Sequence, residues 1–293
     1  MINENIKILH IEPTNLCNAA CPQCAREVDQ TFKSSKVQHL TVDAVKQLFD
    51  LNFIRHLDKM FMCGNYGDPA AGKHTLEIFK YFRSINPTIT LGMNTNGGLR
   101  SAKWWRELAN ILNQPKDYVV WSIDGLQDTN HLYRIDVNWH TLIRNARAFI
   151  SAGGNAHWDM LVFEHNQHQV DAVELYAQQI GFKWFRVKVS NRHELAPVSF
   201  LSVPKNWKIS TKTSNKIRCR ALEEKSLYVA ADRTVYPCCW LGSLDKHSID
   251  EFETIKQSWT SDNPNPTCKF TCSINDTDTN NFVDQWQREV ELC

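Results

Sequence analysis

The sequence has almost no net charge, with 33 Lys and Arg against 32 Asp and Glu. A balance of that kind creates no broad field that would call for nucleic acid or a membrane surface as partner. There is also no apolar run approaching the ~20 residues needed to span a bilayer. The opening segment, MINENIKILHIEP, lacks the charged head, apolar middle and small-residue cleavage site of a signal peptide. The expectation is therefore a cytoplasmic protein with neither membrane nor nucleic acid as partner. No phosphate loop, no H-E-x-x-H pair and no Ser/His/Asp arrangement is present, so common hydrolase and nucleotide chemistries have no candidate site. No short-period repeat suggests a solenoid.

Cysteine, by contrast, is abundant. There are ten, three of them at 17, 21 and 24 within the stretch LHIEPTNLCNAACPQCAR, one at 63, and six between 219 and 293. A reducing compartment keeps such thiols from forming a disulfide framework. Two separated groups point instead to two metal sites. Hydrophobic residues make up 42% of the chain, enough at this length for a sizeable core.

Short apolar runs predict six buried strands over residues 6–12, 59–63, 88–94, 118–124, 156–163 and 183–189. Between them, apolar residues at three- and four-residue spacing predict helices. One covers 41–57, with Thr41 as N-cap, and another ends near the C-cap Gly181. Six β-α repeats imply an α/β fold with a parallel sheet, open or curved into a partial barrel. The pattern breaks after Val189, so the expected domains are 1–190 and 191–293. In the second, SLYVAADRTVYPCCW predicts a hairpin turning at Ala231–Arg233, and further helices are expected from Ser248 and from Asn280.

Thiolates are soft ligands that favour zinc or iron–sulfur clusters. Cys17, Cys21 and Cys24 form C-x3-C-x2-C, and three thiolates on one loop suit a [4Fe–4S] cluster with one iron left open. The loop follows a strand end, where α/β sheets place their ligand sites. This pattern resembles the radical S-adenosylmethionine (radical SAM) superfamily. The resemblance extends to GNYGDP (64–69) after the second strand, MNTNGG (93–98) at the third, and SIDG (122–125) with Arg134 after the fourth. It implies a partial (β/α)6 TIM-like barrel, a SAM cofactor, and a SAM shell drawn from Gly67, Asp68, Asn94, Thr95, Asn96, Ser122, Asp124 and Arg134. By the same resemblance, residues 162–169 and 186–190 lie where adenine contacts are expected. Two residues depart from the superfamily pattern: Gln23 stands where an aromatic is usual, and Asp68 where Glu is usual.

In the second group, Cys219 and Cys238 are separated by thirteen residues, Arg233 and four more, and Cys268 and Cys272 are spaced C-x3-C. This resembles the SPASM/twitch extension of radical SAM enzymes, with Arg233 in place of the usual glycine. The resemblance implies a small C-terminal cysteine-rich domain in which Cys219, Cys238, Cys268 and Cys272 hold an auxiliary cluster, making two [4Fe–4S] clusters in all. Tetrahedral zinc is the alternative for four thiols. Cys239 is expected to point the other way along a strand, Cys293 is a free thiol or substitute ligand, and Cys63 reads as core. Trp240 is placed to wall a substrate pocket or shield the second site. Residues 195–222 carry six basic side chains and no acid, read as a solvated linker, with a docking strip for an anionic substrate as the alternative.

The implied activity is reductive SAM cleavage to a 5′-deoxyadenosyl radical that abstracts hydrogen from a peptide or protein substrate. A small-molecule (alcohol or sugar) dehydrogenase is the alternative enzyme, and a non-enzymatic zinc- or cluster-binding interaction protein the alternative of another class. An electron donor such as flavodoxin or ferredoxin is the implied redox partner.

Overall fold

The computed structural model of this chain describes residues 5–29, 32, 35–190, 192–193, 196–205 and 215–274. Its strands are β1 (Ile8–Ile11), β2 (Lys59–Met62), β3 (Thr90–Thr95), β4 (Tyr118–Ser122), β5 (Ala156–Val162), β6 (Trp184–Val189), β7 (Ser226–Val229) and β8 (Val235–Tyr236). They form one sheet in the order β6-β5-β4-β3-β2-β1-β7-β8, in which only the β7–β8 pair is antiparallel. The first six strands lie within the six apolar runs seen in the sequence, apart from one residue added at the end of β3. Each neighbours its predecessor, as sequential β-α units do.

The helices are α1 (Ala25–Val28), α2 (Val42–Leu48), α3 (Leu51–His56), α4 (Thr75–Ile85), α5 (Ala102–Ile111), α6 (Asn130–Tyr133), α7 (Trp139–Ser151), α8 (Val170–Ile180), α9 (Arg220–Glu223), α10 (Phe252–Ser258) and α11 (Pro266–Cys272). Leu9, Ile11, Met60, Met62, Leu91, Met93, Val119 and Trp121 are fully buried, in one core with Phe79 and Phe82 of α4, Leu108 of α5 and Phe149 of α7. The period-2 alternation of strands then puts the polar residues His10, Lys59, Asn94, Ser122, Asp159, Arg186 and Lys188 on the opposite face. A helix-covered apolar face and a polar inner face leave the latter for ligands.

Some local rules compete with periodicity. The helix expected over 41–57 is two helices, because the Asp50 carboxylate accepts from Phe53 N at 2.7 Å and starts α3 as an N-cap. Thr41 caps α2 as expected, accepting from Ala44 N at 3.1 Å. Caps of this kind contribute about 1 kcal/mol each. Gly181 ends α8 at φ +99°, the left-handed cap read from the sequence.

The hairpin after residue 225 is a continuation of the sheet rather than a separate layer. β7 lies parallel to β1, pairing Ile8–Ile11 with Ser226–Val229, and Glu12 N donates to Val229 O at 2.8 Å. Its turn falls at Ala231–Arg233, as expected. Arg233 itself takes the left-handed conformation, at φ +75°, while the Asp232 carboxylate receives Thr234 N at 2.8 Å. Residue 233 thus keeps a glycine-like backbone without a glycine. The helix expected from Asn280, and Cys293, lie outside the described residues. Among the described residues no helix is long and apolar enough to cross a membrane.

Candidate active site

The loop between β1 and α1 carries Cys17, Cys21 and Cys24, and neighbouring elements hold it down along its length. Thr14 Oγ1 donates to Gln38 O at 2.7 Å, Ala20 N to Ile135 O at 3.1 Å, and Asp68 N to Leu16 O at 2.9 Å. Each sulfur meets a polar group from a different strand end. Asn96 Nδ2, after β3, lies 3.5 Å from Cys17 Sγ, and Arg134 Nη1, after β4, lies 3.6 Å from Cys21 Sγ. Cys24 Sγ lies 3.7 Å from Asn65 O, after β2. All nine described cysteines are free thiols. Burial pushes the Cys17 thiol up to about 12 and the Cys21 thiol up to about 11.

The motif residues divide into those turned toward the thiols and those that brace the frame. Asp68 is buried and joins the ends of β2 and β3. It accepts from Thr95 Oγ1 at 2.9 Å, from Asn96 N at 2.7 Å and from Ala70 N at 2.8 Å. Burial raises its pKa despite those donors. Gly67 is required by space: a Cβ there would lie 1.8 Å from Thr14 O. Asn96 also donates to Asn18 Oδ1 at 3.0 Å, tying the third strand end to the cysteine loop. Asp124 is fully buried, accepting from Arg134 Nε at 2.7 Å and from Leu161 N at 2.6 Å. It thereby aims Arg134 at Cys21. Asn94 Oδ1 is buried with no hydrogen-bond partner, an acceptor left over on the inner face. Ser122 ends β4 beside Asp159 of β5 on the same face.

Two residues of the site carry no signal in the sequence. Glu12, one residue beyond β1, is buried and accepts from Tyr66 N at 2.7 Å, Gly67 N at 2.8 Å and the Tyr228 hydroxyl. Burial lifts its carboxyl to about 7, against those donors. Asp159 is gripped by Arg186, whose Nε lies 2.9 Å away, and by Lys188 Nζ at 2.5 Å. Gln23, at the departure from the aromatic pattern, is buried and accepts from Ser190 Oγ at 2.6 Å. A polar side chain fits there because a polar partner waits for it. Within the segment 162–169, His165 is stacked on Phe163 at 5.4 Å, and Asn166 donates to Asp124 O at 3.0 Å.

The second group of thiols also comes together. Cys219, Cys238, Cys268 and Cys272, from separate points of the chain, line one pocket with Ile217, Leu241, Phe252 and Trp259. Trp259 rather than Trp240 walls this pocket; Trp240 carries the Arg192 guanidinium 5.8 Å above its ring. Cys239 does not line it, and its carbonyl instead accepts from Asn65 Nδ2 at 2.7 Å. Burial raises the Cys268 thiol to about 12. No set of three or more Cys, His, Asp or Glu among the described residues converges on a single metal ion. Sulfur-only donor sets of this kind suit either an iron–sulfur cluster or zinc. In the basic stretch 195–222, Lys205, Arg218 and Arg220 pair with Glu164, Glu223 and Glu224, which accords with a solvated face.

A parallel α/β sheet with a three-thiol loop after its first strand, framed by polar strand ends, defines the class of protein. The chain matches the Radical SAM superfamily over residues 11–177, more than half its length, and it belongs to that superfamily. Membership marks it as an enzyme class using SAM and an iron–sulfur cluster. Among solved structures it is similar to Streptococcus suis SuiB bound to S-adenosylmethionine, with TM-score 0.59 and 13% identity, over 87% of this chain and 65% of that one. It is similar to a histidine-tagged anSMEcpe with bound AdoMet, with TM-score 0.59 and 18% identity, over 87% of this chain and 81% of that one. SuiB bound to its precursor peptide SuiA matches at TM-score 0.58 and 13% identity, over 88% and 66% of the two chains. The chain thus spans less than two thirds of the SuiB chain whose SAM-bound structure it matches. No curated protein matches it in sequence.

Proposed function

We propose that this chain is a radical SAM enzyme that modifies a peptide or protein, with a SPASM/twitch-like C-terminal region holding a second cluster. The observation that carries the reading is the convergence of Asn96, Arg134 and Asn65 on the three thiols of one loop. Cys17, Cys21 and Cys24 would hold the first [4Fe–4S] cluster, and Cys219, Cys238, Cys268 and Cys272 the second. When bound, cluster and SAM supply a 5′-deoxyadenosyl radical able to take hydrogen from an unactivated C–H bond.

The chain's own residues have three tasks. Asp68 fixes the segment after β2 against Thr95 and Asn96, so the backbone expected to receive the methionine end of SAM is rigid before binding. Arg134, aimed by Asp124, brings a positive charge beside the cysteine loop, where a carboxylate would be favoured. The apolar walls of the second pocket, Ile217, Leu241, Phe252 and Trp259, would limit solvent access to the second cluster. A peptide or protein substrate is supported by the likeness in fold to SuiB bound to a precursor peptide.

The test is anaerobic. Iron and sulfide are counted per chain, then SAM and a strong reductant are added and 5′-deoxyadenosine is measured. About eight irons with 5′-deoxyadenosine formed is the expected result. Zinc in place of iron, or reduced protein that leaves SAM intact, overturns the reading.

A further inference from the structure

The segment 64–68 is tied to more than the three-thiol loop. Three separate contacts join its neighbourhood to the part of the chain that carries Cys238. Asn65 Nδ2 donates to Cys239 O at 2.7 Å, and the Tyr66 hydroxyl donates to Ser243 O at 3.2 Å. The third contact runs through Glu12. Its Oε1 receives both Tyr66 N and Gly67 N, at 2.7 and 2.8 Å, and its Oε2 receives the Tyr228 hydroxyl. Tyr228 in turn packs on Gly242, where a Cβ would come within 2.7 Å of the ring, and Gly242 N donates to Cys238 O at 3.0 Å.

The fit leaves little play. A Cβ on Gly64 would lie 2.8 Å from Glu12 Oε1 and 2.0 Å from Gly67 O. The segment therefore lies flat against the end of β1, within reach of a carboxylate with two methylenes. Two consecutive backbone N–H groups on one buried oxygen are costly to leave unpaired, and only an acceptor at this point satisfies both.

We infer that Glu12 is a positioning residue that locks the Tyr66–Gly67 backbone to the Tyr228 hairpin, so that the SAM-receiving segment and the Cys238 side of the second thiol pocket move as one unit. The inference rests on the proposed function for what each side binds. The shape of the acceptor matters here more than its charge. A Gln side chain presents one oxygen to the two amides and an NH2 that Tyr228 can accept, so it can preserve all three contacts. Ala removes the acceptor and Asp falls one methylene short.

The experiment compares anaerobically reconstituted wild type, Glu12→Gln, Glu12→Ala and Tyr228→Phe by equilibrium SAM binding, iron content and the paramagnetic signal of the second cluster. Glu12→Ala is expected to weaken SAM binding about ten- to a hundred-fold, while Glu12→Gln stays within about threefold. Tyr228→Phe, which cuts one of the three contacts, is expected to keep all the iron while reducing any change that SAM causes in the second cluster's signal, and an unreduced change overturns the inference. Wild-type affinity in Glu12→Ala, or a loss in Glu12→Gln as deep as in Glu12→Ala, overturns the inference. If Glu12→Ala does not fold, amide exchange of the unsubstituted holoprotein decides. Slow exchange at Tyr66 and Gly67 supports the lock and fast exchange overturns it. Protected amides in a wild type that binds no SAM would leave the lock standing and remove the functional reading instead.

Discussion

The two groups of thiols sit in different surroundings. Around Cys17, Cys21 and Cys24 the neighbours are polar groups contributed by strand ends, and the thiols sit on one continuous loop of eight residues. Around Cys219, Cys238, Cys268 and Cys272 the lining is mostly apolar, with Ile217, Leu241, Phe252 and Trp259 beside Thr267 and Thr271, and the thiols come from scattered positions. A polar frame can receive a charged, exchangeable ligand. An apolar wall shields what it holds from water.

That comparison can be broken most directly by removing the first set. The triple variant Cys17→Ala, Cys21→Ala, Cys24→Ala is expected to lose all 5′-deoxyadenosine formation and about four irons per chain, with the second set still loaded. Iron that did not fall in elemental analysis would sink the assignment of the loop. The second set answers differently. Cys219→Ala is expected to keep SAM cleavage but lose product formation, and intact turnover of a peptide substrate in a mass-spectrometric assay would make the pocket merely structural.

The frame around the first set can be probed without touching a thiol. Arg134→Ala strands the fully buried Asp124. Removing one partner of such a pair is expected to cost about 3–5 kcal/mol in denaturant unfolding. A loss under about 1 kcal/mol would mean the hydrogen bond from Leu161 N is enough to hold Asp124. The smallest effect belongs to the hairpin beside the second set. Arg233→Gly relieves a left-handed backbone and is expected to stabilise the protein by about 0.5–1 kcal/mol, read as a raised midpoint. A lowered midpoint would show that the arginine side chain contributes more than its backbone costs.

Much of the frame was legible because it is built from local signals. β-strand runs, the caps Thr41 and Gly181 and the spacing of Cys17, Cys21 and Cys24 each depend on residues a few positions apart. Interruptions were harder to read. Asp50 splits a helix because a side chain competes for a backbone amide, which periodicity does not register. The turn at Ala231–Arg233 was legible, but not that Arg233 itself takes the positive φ, because nothing in its side chain favours one.

What the sequence determined by itself was the order of β-α units and the place of the cysteine loop after the first strand; the four thiols of the second set came only from a resemblance. Those properties follow from hydrophobic periodicity and from ligand chemistry, both of which are written locally. The tertiary structure alone decided that β7 closes onto β1, that Trp259 and not Trp240 walls the thiol pocket, and that Glu12 meets Tyr228 across 216 positions of chain. Such pairings are set by which buried donor finds which acceptor once the sheet has formed, and a buried carboxylate leaves no periodic trace to announce its partner.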